Sequence, residues 1–237
     1  MGIRRYLLKR NVITIGIIIT GILSILAMLL AFYGSYSGNF IITLDNKDVF
    51  SSISLVEEKD SNLTSPRLYA DSVSDLPDLS FDELKLLEAV EADGNYFDPE
   101  FKYFAYSFYL VNNGLETVNI EMEYRITEVR RQTDEMIRII IIKNDDIENL
   151  SADNLKMYKK ADKVPHEYNP AHPVAEQFVD DKTVFKSEIE AFAPEQRIKF
   201  TVIIYIEGED PDSTDDKYGG QIKMSLRFSI IEDEEEE

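Results

Sequence analysis

The chain has no cysteine, no tryptophan and only two histidines among its 237 residues. Without cysteine there is no disulfide, no thiol nucleophile, no thiolate zinc site and no acceptor for a lipoprotein anchor. An exported domain built from this chain therefore relies on its core for stability. Two histidines make a three-ligand catalytic zinc centre hard to assemble. Positive charge is also scarce: 25 Lys and Arg stand against 45 Asp and Glu, for a net charge of −20. Such a surface repels nucleic acid and anionic lipid headgroups, and suits solubility, divalent cations or basic partners. No glycine-rich phosphate loop, nucleophile elbow or dinucleotide fingerprint occurs, and no internal repeat of the solenoid or propeller type.

The few cations are unevenly placed. Arg4, Arg5, Lys9 and Arg10 lie in the first ten residues, and the next charge is Asp45. Beyond the leader, 21 cations face 45 carboxylates, a charge of −24. Val12 to Tyr33 is an uncharged run of 22 residues rich in Ile and Leu. At ~1.5 Å per residue a helix of that length crosses a ~30 Å hydrocarbon core. A basic flank before one apolar span holds the N-terminus in the cytoplasm and places the rest outside. Ser35-Tyr36-Ser37 would suit a signal peptidase cutting before Gly38, but the run exceeds a signal peptide's ~7–15-residue apolar region and favours an uncleaved anchor. Gly16 and Thr20 have the four-residue spacing of small residues at helix–helix contacts in membranes.

The rest reads as β structure, with 13 Tyr and 13 Phe to supply a core. Gly38–Asp45 alternates, with Phe40, Ile42 and Leu44 on one face, and Ser51–Val56 repeats the pattern with Ile53 and Leu55 inward. Glu57–Asp78, broken by Pro66 and Pro77, reads as a long loop. Ser80-Phe-Asp-Glu83 is a capping box predicting a short helix with Leu84, Leu87 and Val90 buried and Gly94 as its C-cap. Phe101–Val111 and Val118–Val129 flank Asn112-Asn113-Gly114 and read as an antiparallel hairpin, the second strand facing inward with Val118, Ile120, Met122, Tyr124 and Ile126. Met136–Ile142 suits a buried central strand. Asn144–Lys182 is weakly patterned, with one short strand at Leu155–Tyr158. Phe185–Ala191, Arg197–Ile206 and Gln221–Ile231 supply further strands, and Gly219-Gly220 a flexible approach to the last. The acidic tail 232–237 has the composition of a disordered segment.

Two segments invite chemistry. His166-Glu167 is half of a helical zinc-peptidase motif, but the second histidine is six residues on, at His172, and Pro165, Pro170 and Pro173 break any helix between. A surface loop is the simpler reading. Glu207-Gly-Glu-Asp-Pro-Asp-Ser-Thr-Asp-Asp216 is the densest carboxylate loop. Calcium takes six to eight oxygens from such loops, yet no glycine stands where an EF-hand needs its sharp turn. A solvated turn with Asp and Ser capping backbone amides explains the loop equally simply. Asn62-Leu-Thr and Asn149-Leu-Ser are glycosylation sequons, relevant in a eukaryotic source.

The stretch Phe104-Ala-Tyr-Ser-Phe-Tyr-Leu-Val-Asn-Asn-Gly-Leu-Glu-Thr-Val118 resembles a strand–turn–strand of small exported proteins of Firmicutes, the TasA/camelysin group. So does Tyr205-Ile-Glu-Gly-Glu-Asp-Pro-Asp-Ser-Thr-Asp-Asp216, with Gly219-Gly220-Gln-Ile-Lys-Met-Ser-Leu-Arg-Phe228. The resemblance covers the two ends of the ectodomain, not the leader or the middle. It implies a jelly-roll or Ig-like sandwich and a cell-envelope or biofilm-matrix role. Some members are fibre subunits that pass a strand to the next protomer, and some carry a metallopeptidase label. This chain departs from them, with Tyr205 and Ser213 where relatives often hold Trp and Cys, and no matching position supplies a catalytic residue.

The sequence thus predicts an all-β antiparallel sandwich with one short helix, preceded by an N-terminal transmembrane helix. Its parts are a cytoplasmic leader (1–11), a span or signal (12–33), an extracellular domain (38–231) and an acidic tail (232–237). The expected role is non-enzymatic, structural or adhesive, at the cell membrane or released from it. No residue is assigned a catalytic, cofactor-binding or metal-ligating role. Expected partners are the membrane, other envelope proteins or further copies of the chain, and not nucleic acid. A metallopeptidase, or an ectodomain subunit of a membrane complex, are the alternatives.

Overall fold

The computed structural model describes residues 15–28, 40–45, 53–143 and 154–231. The leader, the acidic tail, Asn149 and the two ends of the apolar run (12–14 and 29–33) lie outside them. The chain divides into two units, Met1–Gly38 and Asn39–Glu237.

In the first unit residues 15–28 form a helix, α1, every one of them exposed. Ile17, Ile22, Ile25 and Met28 are each more than 60% exposed. The Thr20 hydroxyl in the middle of this helix is satisfied internally, its Oγ1 donating to Gly16 O at 2.9 Å. No helix among the described residues is by itself long and apolar enough to cross a membrane.

The second unit is all-β. Its strands are β1 (Phe40–Leu44), β2 (Ile53–Val56), β3 (Arg67–Ala70), β4 (Asp78–Leu79), β5 (Gly94–Tyr96), β6 (Phe104–Asn112), β7 (Val118–Arg130), β8 (Ile137–Lys143), β9 (Leu155–Lys159), β10 (Ala175–Gln177), β11 (Thr183–Phe192), β12 (Arg197–Glu207) and β13 (Gln221–Ile230), with one short helix, α2 (Leu86–Glu91). The first sheet runs β11-β7-β13-β1-β3. The second runs β10-β9-β8-β12-β6-β2, with β4 beside β12 and β5 beside β6. Aromatic rings join the two layers: Phe40 of the first sheet meets Phe104 of the second at 5.5 Å, and Phe108 stacks on Phe200 at 5.6 Å while meeting Phe228 edge-on at 6.0 Å.

The two sheets bury different faces, which explains their sequences. β7 of the first sheet alternates as read, with Ile120, Met122, Tyr124 and Ile126 buried and Arg125 and Thr127 exposed. The second sheet is covered on both sides. Phe200, Val202 and Ile204 face the first sheet, while Ile140, Ile142, Ile203 and Tyr205 pack outward beneath Leu84, Ala89 and Val90. A strand buried on both faces reads as an unbroken apolar run, as in Ile139 to Ile142 of β8.

Several local expectations give way to tertiary structure. β6 and β7 form no hairpin: β6 pairs with β12, β2 and β5 in the second sheet, β7 with β11 and β13 in the first. The Asn-Asn-Gly turn therefore carries the chain from one layer to the other. Asn112, fully buried, organises that crossing. Its Nδ2 donates to Glu116 O and Phe192 O, each at 2.9 Å, and its Oδ1 accepts from Gly114 N at 2.9 Å. Its backbone N–H donates to Gln196 O, so the β11-to-β12 crossing is tied to the same residue.

The expected loop 57–78 contains β3, which pairs antiparallel with β1. The Ser80 capping box is present, Ser80 N donating to Glu83 Oε2 at 2.7 Å, but it caps a 3-10 turn, Phe81–Glu83, and α2 begins only at Leu86. Leu84 and Val90 are buried as expected, whereas Leu87 is 49% exposed. Gly94 is not the cap of α2, whose C-cap is Ala92; it opens β5 at φ +68, where a Cβ would press on Glu57. Gly220 is not loose either: a Cβ there would meet Arg130 O at 2.6 Å and Lys217 O at 3.0 Å, so only glycine lets the chain pass. Three contacts are parallel rather than antiparallel: β1 with β13, β10 with β9, and β4 with β12. β1 is hydrogen-bonded on both edges, by β13 and β3, within its own sheet.

Candidate functional site

The outer face of the second sheet carries an ionic cleft that sequence reading did not single out. By strand alternation Arg138 on β8, Met157 and Lys159 on β9, and Tyr205 and Glu207 on β12 all project to that side. The loop after β12 and the segment 162–173 before β10 fold over them, with Phe81 from the 3-10 turn. The enclosed cleft holds about 220 Å3.

Arg138 is the organising residue. It interrupts an isoleucine-rich strand, is 2% exposed, and a buried guanidinium demands a carboxylate. Its Nη2 donates to Asp210 Oδ2 at 2.6 Å and to Tyr168 OH at 2.9 Å. Tyr168 OH in turn donates to Asp162 Oδ1 at 3.0 Å, and Lys159 Nζ donates to Asp162 Oδ2 at 2.5 Å. The Tyr168 ring lies under both cations, 5.2 Å from the Arg138 guanidinium carbon and 4.0 Å from Lys159 Nζ. Burial, countered by Arg138 but reinforced by the two aspartates, holds the Tyr168 hydroxyl protonated far above its ordinary range. It therefore stays a donor to Asp162.

Asp210 and Asp212 come from the acidic loop that the sequence offered as a calcium ligand or a solvated turn. The capping part of the second reading is correct: Asp212 N donates to Asp210 Oδ1 at 2.8 Å, and Ser213 N to Asp210 O at 2.9 Å. The solvated part is not, because both aspartates are buried. Among the described residues, Asp162, Asp210 and Asp212 bring carboxylate oxygens within 4.8 Å of one another, and neither histidine joins them. Five of their six oxygens are engaged. Both of Asp210 and both of Asp162 accept the bonds just given, and Asp212 Oδ2 accepts from Lys163 N at 2.7 Å. Asp210 and Asp162 are thus ion-paired with Arg138 and Lys159, while Asp212 caps a backbone amide.

A second set of pairs lies nearby. Glu135 Oε1 sits 2.6 Å from Lys163 Nζ and its Oε2 2.9 Å from Lys217 Nζ, while Asp134 holds Lys160 at 2.6 Å. Burial alone would raise the Glu135 carboxyl, but the two lysines outweigh it and hold it below its ordinary value. Asp134 likewise lifts Lys160 above its usual range against the opposing effect of burial.

Glu207 is different. It is 5% exposed and lines the cleft, yet it enters no ion pair among the described residues. Its Oε2 accepts from Tyr205 OH at 2.9 Å, and its Oε1 takes a long 3.4 Å bond from Glu209 N. Burial and the Glu207 charge together push the Tyr205 hydroxyl far above its ordinary pKa, so it donates at any physiological pH.

His172 stands at the rim of this cleft, its ring 5.2 Å from Phe81 and its Nε2 3.3 Å from Asp82. His166 packs edge-on against Tyr168. The segment holding both is irregular, as its prolines require. A larger cleft of about 510 Å3 opens between the sheets near Phe40, Phe104 and Met224. The buried ionisable residue on its wall, Lys217, is already engaged by Glu135 and by Asp212 O.

No protein-family model matches the chain, and no curated protein matches it in sequence. Among solved structures, the crystal structure of β-glucosidase from Kluyveromyces marxianus in complex with glucose is similar with a TM-score of 0.25 and 10% identity, over 73% of this chain and 16% of that one. The selenomethionine-labelled form of the same enzyme gives 0.22 and 9%. This chain spans about 16% of that enzyme's length, and a likeness of that size says nothing of what it does.

Proposed function

We propose that the chain is a cell-envelope protein, tethered to the membrane through its N-terminal apolar run, whose Ig-like or jelly-roll β-sandwich serves outside the membrane by binding and holding rather than by catalysis. One observation carries this reading. α1 lies inside a 22-residue uncharged run, follows four cations, and presents Ile and Leu side chains at 51–68% exposure. Water does not tolerate such a helix, and lipid does. The resemblance of the two ends of the domain to the TasA/camelysin group supports an envelope or matrix role. The side-chain network around Arg138 supports a non-catalytic one, since its carboxylates are committed to internal cations.

The absence of cysteine makes the test direct. Leu115 is 96% exposed in the β6-to-β7 crossing, and Ile3 lies in the leader. In intact cells, Leu115→Cys should react with a membrane-impermeant maleimide and Ile3→Cys only after lysis, and both variants should stay in the membrane pellet through alkaline carbonate. The reverse labelling pattern, or complete release by carbonate, defeats the tether. Recovery from the medium with a mature terminus at Gly38 would convert the anchor into a cleaved signal.

A further inference from the structure

Glu207 is the odd charge in the cleft. Arg138 and Lys159, which share its walls, are each matched by an aspartate, at 2.6 and 2.5 Å. Glu207 has a phenol and a long backbone bond but no cation among the described residues. The floor of the cleft thus carries one carboxylate in excess. Asp82 adds a further carboxylate at the rim, against His172. A carboxylate at 5% exposure without a counter-charge is expensive, and a cationic guest relieves that cost.

The walls set the rest of the guest. Met157, Pro170, Pro173 and Val174 are apolar, and Phe81 adds an aromatic face. They suit an aliphatic stem whose charged end reaches the floor. At about 220 Å3 the cleft is smaller than the ~300–1,000 Å3 that takes a drug-sized ligand. It has room for one long side chain. The net charge of −20 draws cations towards it from a distance.

We propose that the cleft between Glu207, Tyr205, Phe81 and Val174 receives a primary ammonium or guanidinium group on an aliphatic stem, supplied either by a free alkyl amine or by a basic side chain of a partner peptide. Glu207 accepts the charged hydrogen bond, Tyr205 holds Glu207 in place, and the Arg138–Asp210 and Lys159–Asp162 pairs keep the neighbouring cations from competing for it. This inference does not depend on the membrane tether.

The test is calorimetric titration of the full chain in detergent micelles. The probes are n-pentylammonium, with neutral pentanamide and anionic pentanoate as controls of matched size, and N-acetyl-lysine amide as the peptide arm. Pentylammonium should bind and the two controls should not. Tighter binding of the lysine derivative assigns the guest to a peptide, and tighter binding of pentylammonium to a free amine; either supports the shared chemistry. Glu207→Gln keeps the bond from Tyr205 but loses the charge, and should weaken binding about 10- to 100-fold. Val174 is 90% exposed at the mouth, so Val174→Arg leaves the fold alone and should weaken binding by placing a fixed cation there. Equal binding of amine and pentanamide, no binding of either amine, or unchanged affinity in Val174→Arg overturns the proposal.

Discussion

Removing the Arg138 guanidinium should expose how much of the domain's stability rests on one buried pair. In Arg138→Met, a side chain of similar length fills the same space. Asp210, at 1% side-chain exposure, is then left with the Asp212 N–H and with Asp162 and Asp212 as its charged neighbours. An uncompensated buried charge of this kind costs about 3–5 kcal/mol. For a domain of roughly 200 residues, each kcal/mol moves the melting temperature by about 2–4 °C, so a drop on the order of 10 °C is expected. Asp210→Leu should be comparably harmful, because it strands the guanidinium. The double variant Arg138→Met/Asp210→Leu removes both charges and should recover most of the loss, ending within about 2 kcal/mol of the wild type. Urea unfolding followed by far-UV circular dichroism and tyrosine emission gives all four stabilities. Additivity of the two single effects to within about 0.5 kcal/mol would show that Arg138 and Asp210 do not act as a pair.

Acid should destabilise the domain in a defined window. Burial opposes the ionised forms of Glu135 and Asp93, but Lys163 and Lys217 for the first, and Lys59, Lys199 and Tyr109 for the second, hold both carboxyls below their ordinary values. Their folded pKa is thus depressed, so their contribution is complete above about pH 4.5 and is lost as pH falls through the folded values. Melting temperature against pH should fall in that range, and more shallowly in Glu135→Gln; an unchanged slope in that variant removes Glu135 from the account. Asn112→Ala leaves Phe192 O, Glu116 O and Gly114 N without their partner and should cost about 2–4 kcal/mol by urea titration, whereas an effect under 1 kcal/mol would mean that the crossings hold without it. Gly220→Ala drives a methyl group against two backbone carbonyls and should cost about 1–3 kcal/mol, while a neutral result would show that the turn can shift.

The strands were legible where one face is buried and the other wet. The alternation of β1 and β7 named their inward residues correctly, and the evenly apolar run at β8 announced a strand covered on both sides. Pairing was not legible. Asn112-Asn113-Gly114 has turn chemistry, and turn chemistry is local; whether the chain returns to the same sheet or crosses to the other depends on Gln196 and Phe192, about 80 residues away. β3 and β10 were missed because each is short and polar on its exposed side, and exists through a neighbour already in place. The cleft was hidden for a similar reason: Arg138, Lys159, Asp162, Tyr168 and Asp210 come from three separate stretches, none of which holds a motif. One signal was available, a single arginine inside an isoleucine-rich strand with an acidic loop to answer it. The two histidines drew notice by their chemistry, but their proline-broken segment leaves His172 to pack on Phe81 and pair with Asp82.

The parallel pairing of β1 and β13 has a mechanical consequence. Phe40 lies opposite Met224 and Leu44 opposite Phe228, so the chain enters this pair at one end and leaves it, past Ile230, at the other. Pulling the two termini apart then loads the strands along their length. In that geometry the hydrogen bonds across the whole register must yield together, whereas a hairpin pulled from its open end gives way one rung at a time. The domain is built to bear tension between its ends, and stretching it from residue 40 and residue 231 should require markedly more force than stretching it from residue 40 and residue 70, where the antiparallel β1–β3 pair can peel open.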